Sequence, residues 1–264
     1  MYFILEIVCL VLIVQTIAYG LSVWLGRNSV ADVFWGGTIA IASLWTIFPL
    51  LWFALQQNPA LIPVIPSLVA GILTFLWGLR LFIHIGTRFL KKKKEDPRYA
   101  KMSEGWQFYY LRSYLQVFLL QGLLMLAMLT PVLSSTYSRP DNNFYFLGAG
   151  ILIWAFGLIF EIIADTQLSE FVKTKKPGQI MTKGLWRYSR HPNYFGEVTL
   201  WWGIWLVTLP SELWYISLIA PLTITFLILK VSGVPMAEAH YADNEEFQNY
   251  AKHTNKFFPW KPKP

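Results

Sequence analysis

Apolar runs of about twenty residues recur along almost the whole chain, and each is long enough for the roughly 30 Å hydrocarbon layer of a bilayer. Few folds accept such a pattern. Only 14% of the 264 residues are charged, against about 25% in soluble domains, a shortfall too large to ascribe to a big core. The runs partition into segments 2–25, 31–54, 61–85, 112–133, 145–170, 196–209 and 213–231. All are expected to be helices, because a span must satisfy its own backbone hydrogen bonds. The expected fold is therefore all-α and polytopic, with seven transmembrane helices in a single domain over 1–264. The sixth segment is short, and reaches spanning length only if its helix begins near Pro192. The first lacks a basic n-region and a small-x-small cleavage site, so it is expected to be a retained helix.

Charge fixes an expected orientation. Arg88, Lys91–Lys94, Arg98 and Lys101 share one loop. Lys173, Lys175, Lys176, Lys183, Arg187 and Arg190 share another, and the tail carries Lys252, Lys256, Lys261 and Lys263. The loops of the other side, around 55–60, 134–144 and 210–212, hold one basic residue, Arg139. The positive-inside rule then puts the N-terminus outside and the C-terminus in the cytoplasm. The net charge of +7 follows from topology and from attraction to anionic lipid. No nucleic-acid module, internal repeat or obligate protein partner is evident.

Polar groups at the membrane edge are the functional candidates, because burying them is costly. The densest group is Gly184-Leu-Trp-Arg-Tyr-Ser-Arg-His-Pro-Asn-Tyr-Phe-Gly-Glu197. Its arginines, Arg187 and Arg190, suit phosphate through their planar forks. Asn193 and Glu197, one turn apart and flanked by Tyr188 and Tyr194, suit a carboxamide or a sugar edge. His191 is either a helix-start residue or a contact to phosphate or hydroxyl. Glu161 and Asp165 repeat the four-residue spacing. They either form a salt-bridge network, with Arg187 and Arg190 nearest in sequence, or bind ribose hydroxyls or an adenine amine.

Arg80, His84 and Arg88 share a helix face and suggest a polar cavity wall, although Arg80 can also snorkel. Asp32 is either a first-turn carboxylate favoured by the helix dipole or a partly buried acid that donates to a ligand carbonyl. Cys9, the single cysteine, excludes an internal disulfide and a thiolate metal site. His84, His191, His240 and His253 lack ligand spacing, so no metal is expected. No Gly-x-Gly-x-x-Gly or Walker loop occurs.

The RYSRHPNYFGE core resembles the C-terminal signature of the steroid 5-alpha-reductase family and its bacterial relatives. Glu161-Ile-Ile-Ala-Asp-Thr-Gln-Leu168, Phe258-Pro-Trp260, Asp32-Val-Phe-Trp-Gly36, Gly78-Leu-Arg-Leu-Phe-Ile-His84 and Glu95-Asp-Pro-Arg-Tyr99 are similar to the same group. The resemblance implies seven membrane helices, NADPH as cofactor, and reduction of the 4,5 double bond of a 3-oxo steroid in a bacterial inner membrane. It places Asp165, Asn193 and Glu197 at cofactor contacts, with Arg88, Glu161, Arg187, Tyr188, Arg190, His191 and Tyr194 completing the expected cofactor surface. Asp32 falls where eukaryotic members place a substrate-carbonyl glutamate, and His84 near their substrate-contacting tyrosine, so these two are the expected catalytic pair. Isoprenylcysteine methyltransferases share the Arg190-His191-Pro192 element. An S-adenosylmethionine-dependent methyltransferase acting on a lipid-soluble acceptor is therefore the main alternative. A non-catalytic lipid-binding protein is the second.

Overall fold

Glycines decide where the helices touch. The computed structural model describes residues 2–56, 65–137, 144–239 and 241–263, so Arg139, His240 and the loop residues 57–60 lie outside the described residues. Helices α1 (Tyr2–Leu25), α2 (Val30–Gln56) and α3 (Ile65–Lys91) open the chain. The short α4 (Pro97–Ser103) and the helical run α5 (Tyr109–Met128) follow. Then come α6 (Thr130–Thr136), α7 (Phe144–Thr174), α8 (Pro192–Thr208), the run α9 (Trp214–Ala239) and α10 (Glu245–His253). No strand occurs among the described residues. Six of the helices are long and apolar enough to cross a membrane. The protein is thus all-α and polytopic.

The described chain gathers into two compact units, 1–147 with 207–220 and 148–206 with 221–264. In the first unit α2 and α3 meet at Gly36 and Gly78. A Cβ on Gly36 would lie 2.6 Å from the Gly78 carbonyl oxygen, and one on Gly78 2.8 Å from that of Gly36. Small residues let membrane helices approach this closely. The contact brings Asp32, one turn before Gly36, to the level of Ile85 and Phe89. α1 buries Ile7, Val11, Val14, Gln15, Ala18 and Ser22, a stripe at helical spacing. Its other face exposes Leu5, Ile13, Ile17 and Cys9, as a lipid-facing helix does.

In the second unit α7 and α8 form a glycine zipper. A Cβ on Gly157, Gly196 or Gly203 would sit 2.6 Å from the backbone of Leu200, of Gly157 and Glu161, or of Trp154 respectively. This register sets Asp165 of α7 beside Asn193 of α8.

Several segment ends differ from expectation for local reasons. α5 stops at Met128 and α6 restarts at Thr130 because Pro131 cannot continue the backbone ladder. α3 runs on through Lys91, whereas the α9 run bends at 232–233, directly after the expected end at 231, before its last stretch Val234–Ala239. α8 does begin at Pro192, whose fixed φ suits a first helical position, and its 17 residues leave it shorter than the six spans.

Candidate functional site

Polar clusters stand in both units. In the first, Asp32 stands in the first turn of α2 and binds two residues of α4. Arg98 Nη2 donates to Asp32 Oδ2 at 2.8 Å, and the Tyr99 hydroxyl donates to Oδ1 at 2.5 Å. Gln121 of α5 donates to the Tyr99 oxygen at 3.2 Å. Asp96 caps α4, accepting from the Arg98 backbone N–H and from its Nε, both at 3.0 Å. Burial, then the Asp32 charge, hold the Tyr99 phenol well above its ordinary range, so it stays a donor. Burial works against the Arg98 charge, but Asp32 and Asp96 outweigh it and raise the guanidinium further. Burial likewise opposes Asp96, yet its bonds from Arg98 hold that carboxyl below the usual range.

Beside this network lies a cleft of about 100 Å³, lined by Arg27, Arg88, Lys92, Lys94 and Arg98 among others, with Asp32 and Asp96 as its only carboxylates. Its floor carries the Ser29 hydroxyl, buried and without a hydrogen-bond partner. Glu95 closes the start of α2, accepting from the Asn28 and Ser29 backbone N–H groups.

In the second unit the chain turns sharply onto α7. Gly184 has φ +63°, a backbone conformation that favours glycine, and a Cβ there would push aside the end of the Gln167 side chain, 2.5 Å away. The same Gln167 Oε1 accepts from the Leu185 N–H at 2.9 Å, and Trp186 Nε1 donates to the Ala164 carbonyl at 3.1 Å. The 3₁₀ turn Gly184–Arg187 is thereby fixed, and α8 starts five residues later. Asn193 Nδ2 donates to Asp165 Oδ1 at 3.2 Å. The Asn193 amide oxygen is buried and has no hydrogen-bond partner. Glu161 is 3% exposed, and Glu197 follows Asn193 by one turn.

Arg190 and His191 are engaged elsewhere. Arg190 reaches Glu238 Oε1 through Nε and Nη2, both at 2.8 Å, and donates Nη1 to the carbonyls of Ala251 and Thr254. His191 Nε2 lies 3.1 Å from the same Glu238 oxygen, and its ring stacks on Tyr194 at 5.5 Å. Lys256 approaches Glu238 Oε2 at 3.6 Å. Tyr250, raised chiefly by burial, donates to the Trp186 and Ser189 carbonyls. Arg187 and Tyr188 are exposed.

The structure therefore brings together Asp165 with Asn193, and Arg190 with His191 and Tyr194. Arg190, expected near Glu161 and Asp165, takes Glu238 as its carboxylate instead. In the first unit Asp32 is joined to Tyr99 and Arg98, while Arg88 lines the cationic cleft and His84 sits half-buried on α3.

Sequence reasoning missed Glu238, Tyr99 as the partner of Asp32, Gln121, and Glu95 as a cap. The Asp96-Pro97 pair was a usable signal, since an acidic cap followed by proline starts a helix. That helix presents Arg98 and Tyr99. Glu238 carried no signal, for its partners lie 47 and 48 residues away. Among the described residues no three His, Cys, Asp or Glu side chains are grouped to hold a metal ion.

Spanning helices with polar clusters at residues such as Asp32 and Asn193 define the class, that of all-α integral membrane proteins. Within that class, the chain belongs to the family described as protein of unknown function (DUF1295), whose pattern matches residues 18–254. No curated protein and no solved structure matches the chain.

Proposed function

We propose that this protein is an NADPH-dependent reductase of the steroid 5-alpha-reductase kind, acting on a 3-oxo-4-ene steroid or a similar lipophilic enone. The observation that carries the reading is the Asn193 amide oxygen, a buried acceptor without a donor beside Asp165. A buried acceptor left unmet costs free energy, and the amide group of a nicotinamide or the amine of an adenine supplies the missing N–H. That fit, together with the resemblance of RYSRHPNYFGE, supports NADPH.

When bound, NADPH supplies the hydride that reduces the enone's beta carbon. Asn193 and Asp165 orient its N–H-bearing end, and Glu161 and Glu197 accept from ribose hydroxyls. Arg187, on the exposed 3₁₀ turn, takes a phosphate oxygen. Arg190 and His191 act through position, because four of the five guanidinium donors are already committed to Glu238 and two carbonyls. Arg88 lines the cation-rich cleft of the first unit, where its charge suits a phosphate. A protonated Asp32, the Tyr99 hydroxyl turned from Asp32 to the substrate, or the imidazole of His84 donates to the substrate carbonyl and stabilises the negative charge that develops on its oxygen. Protonation of the alpha carbon then completes the reduction.

The apolar substrate enters from lipid. The basic loops support a cytoplasmic C-terminus and an outer N-terminus in a bacterial inner membrane. α8 provides the seventh crossing, its 17 residues giving about 26 Å at 1.5 Å per residue. Melting temperatures in detergent with NADPH, NADH or S-adenosylmethionine test the reading, followed by anaerobic turnover of an enone panel. Selective stabilisation by NADPH and a 5-alpha product are expected. Selective stabilisation by S-adenosylmethionine points to the methyltransferase, and none by any of the three to a non-catalytic lipid-binding protein.

A further inference from the structure

The closing segment of the second unit leaves its largest apolar groups outside. Phe258 is 70% and Trp260 73% exposed, yet their backbone is pinned and cannot turn them inward. Arg190 N–H donates to the Asn255 carbonyl at 2.9 Å, the Ser189 hydroxyl to that of Phe257 at 2.7 Å, and Trp260 N–H to that of Tyr188 at 3.0 Å. The Phe257 ring packs on Phe195 at 5.8 Å and on Phe258 at 5.3 Å.

A cleft of about 370 Å³ opens beneath this segment, lined by Phe160, Leu185, Tyr188, Pro259, Trp260 and Lys261. Phe160 belongs to α7, one of the six spanning helices. Around it Phe156, Ile159 and Ile163 are exposed on that helix, so the cleft is continuous with a surface that faces acyl chains. Residues 247–264 contain Lys252, Lys256, Lys261 and Lys263 and no acidic residue. Tryptophan and lysine at the end of a span mark the headgroup level.

We propose that residues 257–263 form an interfacial clamp for an anionic phospholipid. One acyl chain occupies the cleft against Phe160, Leu185 and Trp260, and Lys261 and Lys263 meet the headgroup phosphate. A single cationic rim over an apolar wall matches a phospholipid's own division into charged head and hydrocarbon tail. The proposal is independent of the reductase reading and stands if that reading falls.

The test uses the full chain with Cys9→Ser, spin-labelled separately at Phe258→Cys, Trp260→Cys and, as an aqueous control, Lys252→Cys. Each is reconstituted in vesicles of phosphatidylcholine alone or with phosphatidylglycerol. Collisions with oxygen, which concentrates in the bilayer, are compared with collisions with a water-soluble nickel chelate. Positions 258 and 260 are expected to favour oxygen several-fold over position 252, more so with phosphatidylglycerol. Lys261→Glu with Lys263→Glu should remove the phosphatidylglycerol effect, and should lower the phosphatidylglycerol retained on detergent extraction and read by mass spectrometry. All these sites are exposed, and an unchanged melting temperature certifies the fold. If a variant misfolds, Lys261→Gln replaces it. Chelate access at 258 and 260 equal to that at 252 overturns the clamp, and depth or retention that ignores both lysines overturns its preference for anionic lipid.

Discussion

Arg190 and Glu238 form a two-nitrogen clasp, Nε and Nη2 of the guanidinium both lying 2.8 Å from one carboxylate oxygen. The arginine side chain is 12% and the glutamate 19% exposed, so water cannot replace either partner fully. Cutting one side of such a pair leaves a poorly solvated charge, and a fully buried pair costs about 3–5 kcal/mol on breaking. Allowing for the residual exposure, Glu238→Ala is expected to destabilise by about 2 kcal/mol. Glu238→Gln should cost less, since its amide oxygen still accepts. Unfolding in mixed micelles measures both, and a wild-type midpoint for Glu238→Ala would show that the clasp contributes nothing.

The glycines of α7 and α8 give a contrast between a packed and an open position. A methyl group at Gly196 would lie 2.6 Å from the Gly157 carbonyl oxygen, whereas one at Gly148 meets nothing within 4 Å. Gly196→Ala is expected to cost about 1–3 kcal/mol through overpacking. Gly148→Ala should be neutral or stabilising by up to about 1 kcal/mol. Equal midpoints for the two variants would contradict the packing described.

Asp96 gives a pH dependence of known sign. Its carboxyl is held below the usual range in the folded state, burial opposing the charge and Arg98 overcoming it. A depressed carboxyl stabilises the fold above the unfolded-state pKa, and the benefit is lost as pH falls through the folded value. The capping contribution should therefore persist at neutral pH and fade below about pH 4. Asp96→Asn, which can still cap, should flatten the acid limb of a stability profile. A variant with the wild-type acid limb would remove Asp96 from the account.

Asn193→Ala tests the cofactor surface. Loss of one partly buried hydrogen-bonding group costs about 1–1.5 kcal/mol, roughly a tenfold rise in the NADPH dissociation constant. Asp165→Ala should be non-additive with it, because the two side chains bond to each other. Normal NADPH affinity in both variants, with only enone affinity lost, would invert the assignment.

Asp32→Asn separates chemistry from architecture. If the carboxyl acts with Tyr99 on a carbonyl, turnover at saturating NADPH should fall by about a hundredfold, roughly 3 kcal/mol of barrier, while cofactor affinity persists. Reduced expression with unaltered turnover per folded molecule would leave Asp32 as an anchor for Arg98 and Tyr99, and His84 as the polarising group.

The membrane class was legible because it needs only run length and charge count, and the six spanning helices fall within or across the runs read from the sequence. α8 was legible from Pro192 alone. The pairing of Asp165 with Asn193 was not read from the sequence, since it depends on the register set by Gly157, Gly196 and Gly203. The fate of Arg190 was not legible at all. Sequence proximity favoured Glu161 and Asp165, whereas the fold brings Glu238 from 48 residues further along. Tyr99 was hidden for the same reason, standing 67 residues from Asp32.

The backbone of residues 186–191 takes its partners from far downstream, with the Trp186 and Ser189 carbonyls held by Tyr250, Arg190 N–H by Asn255, and Tyr188 by Trp260. On the ribosome, α7 and α8 are synthesised before any of those partners has been made. The turn between them must then wait, half-built, until synthesis has passed residue 260. A stalled or prematurely stopped chain would still insert its first spans, but would present this loop open to proteases.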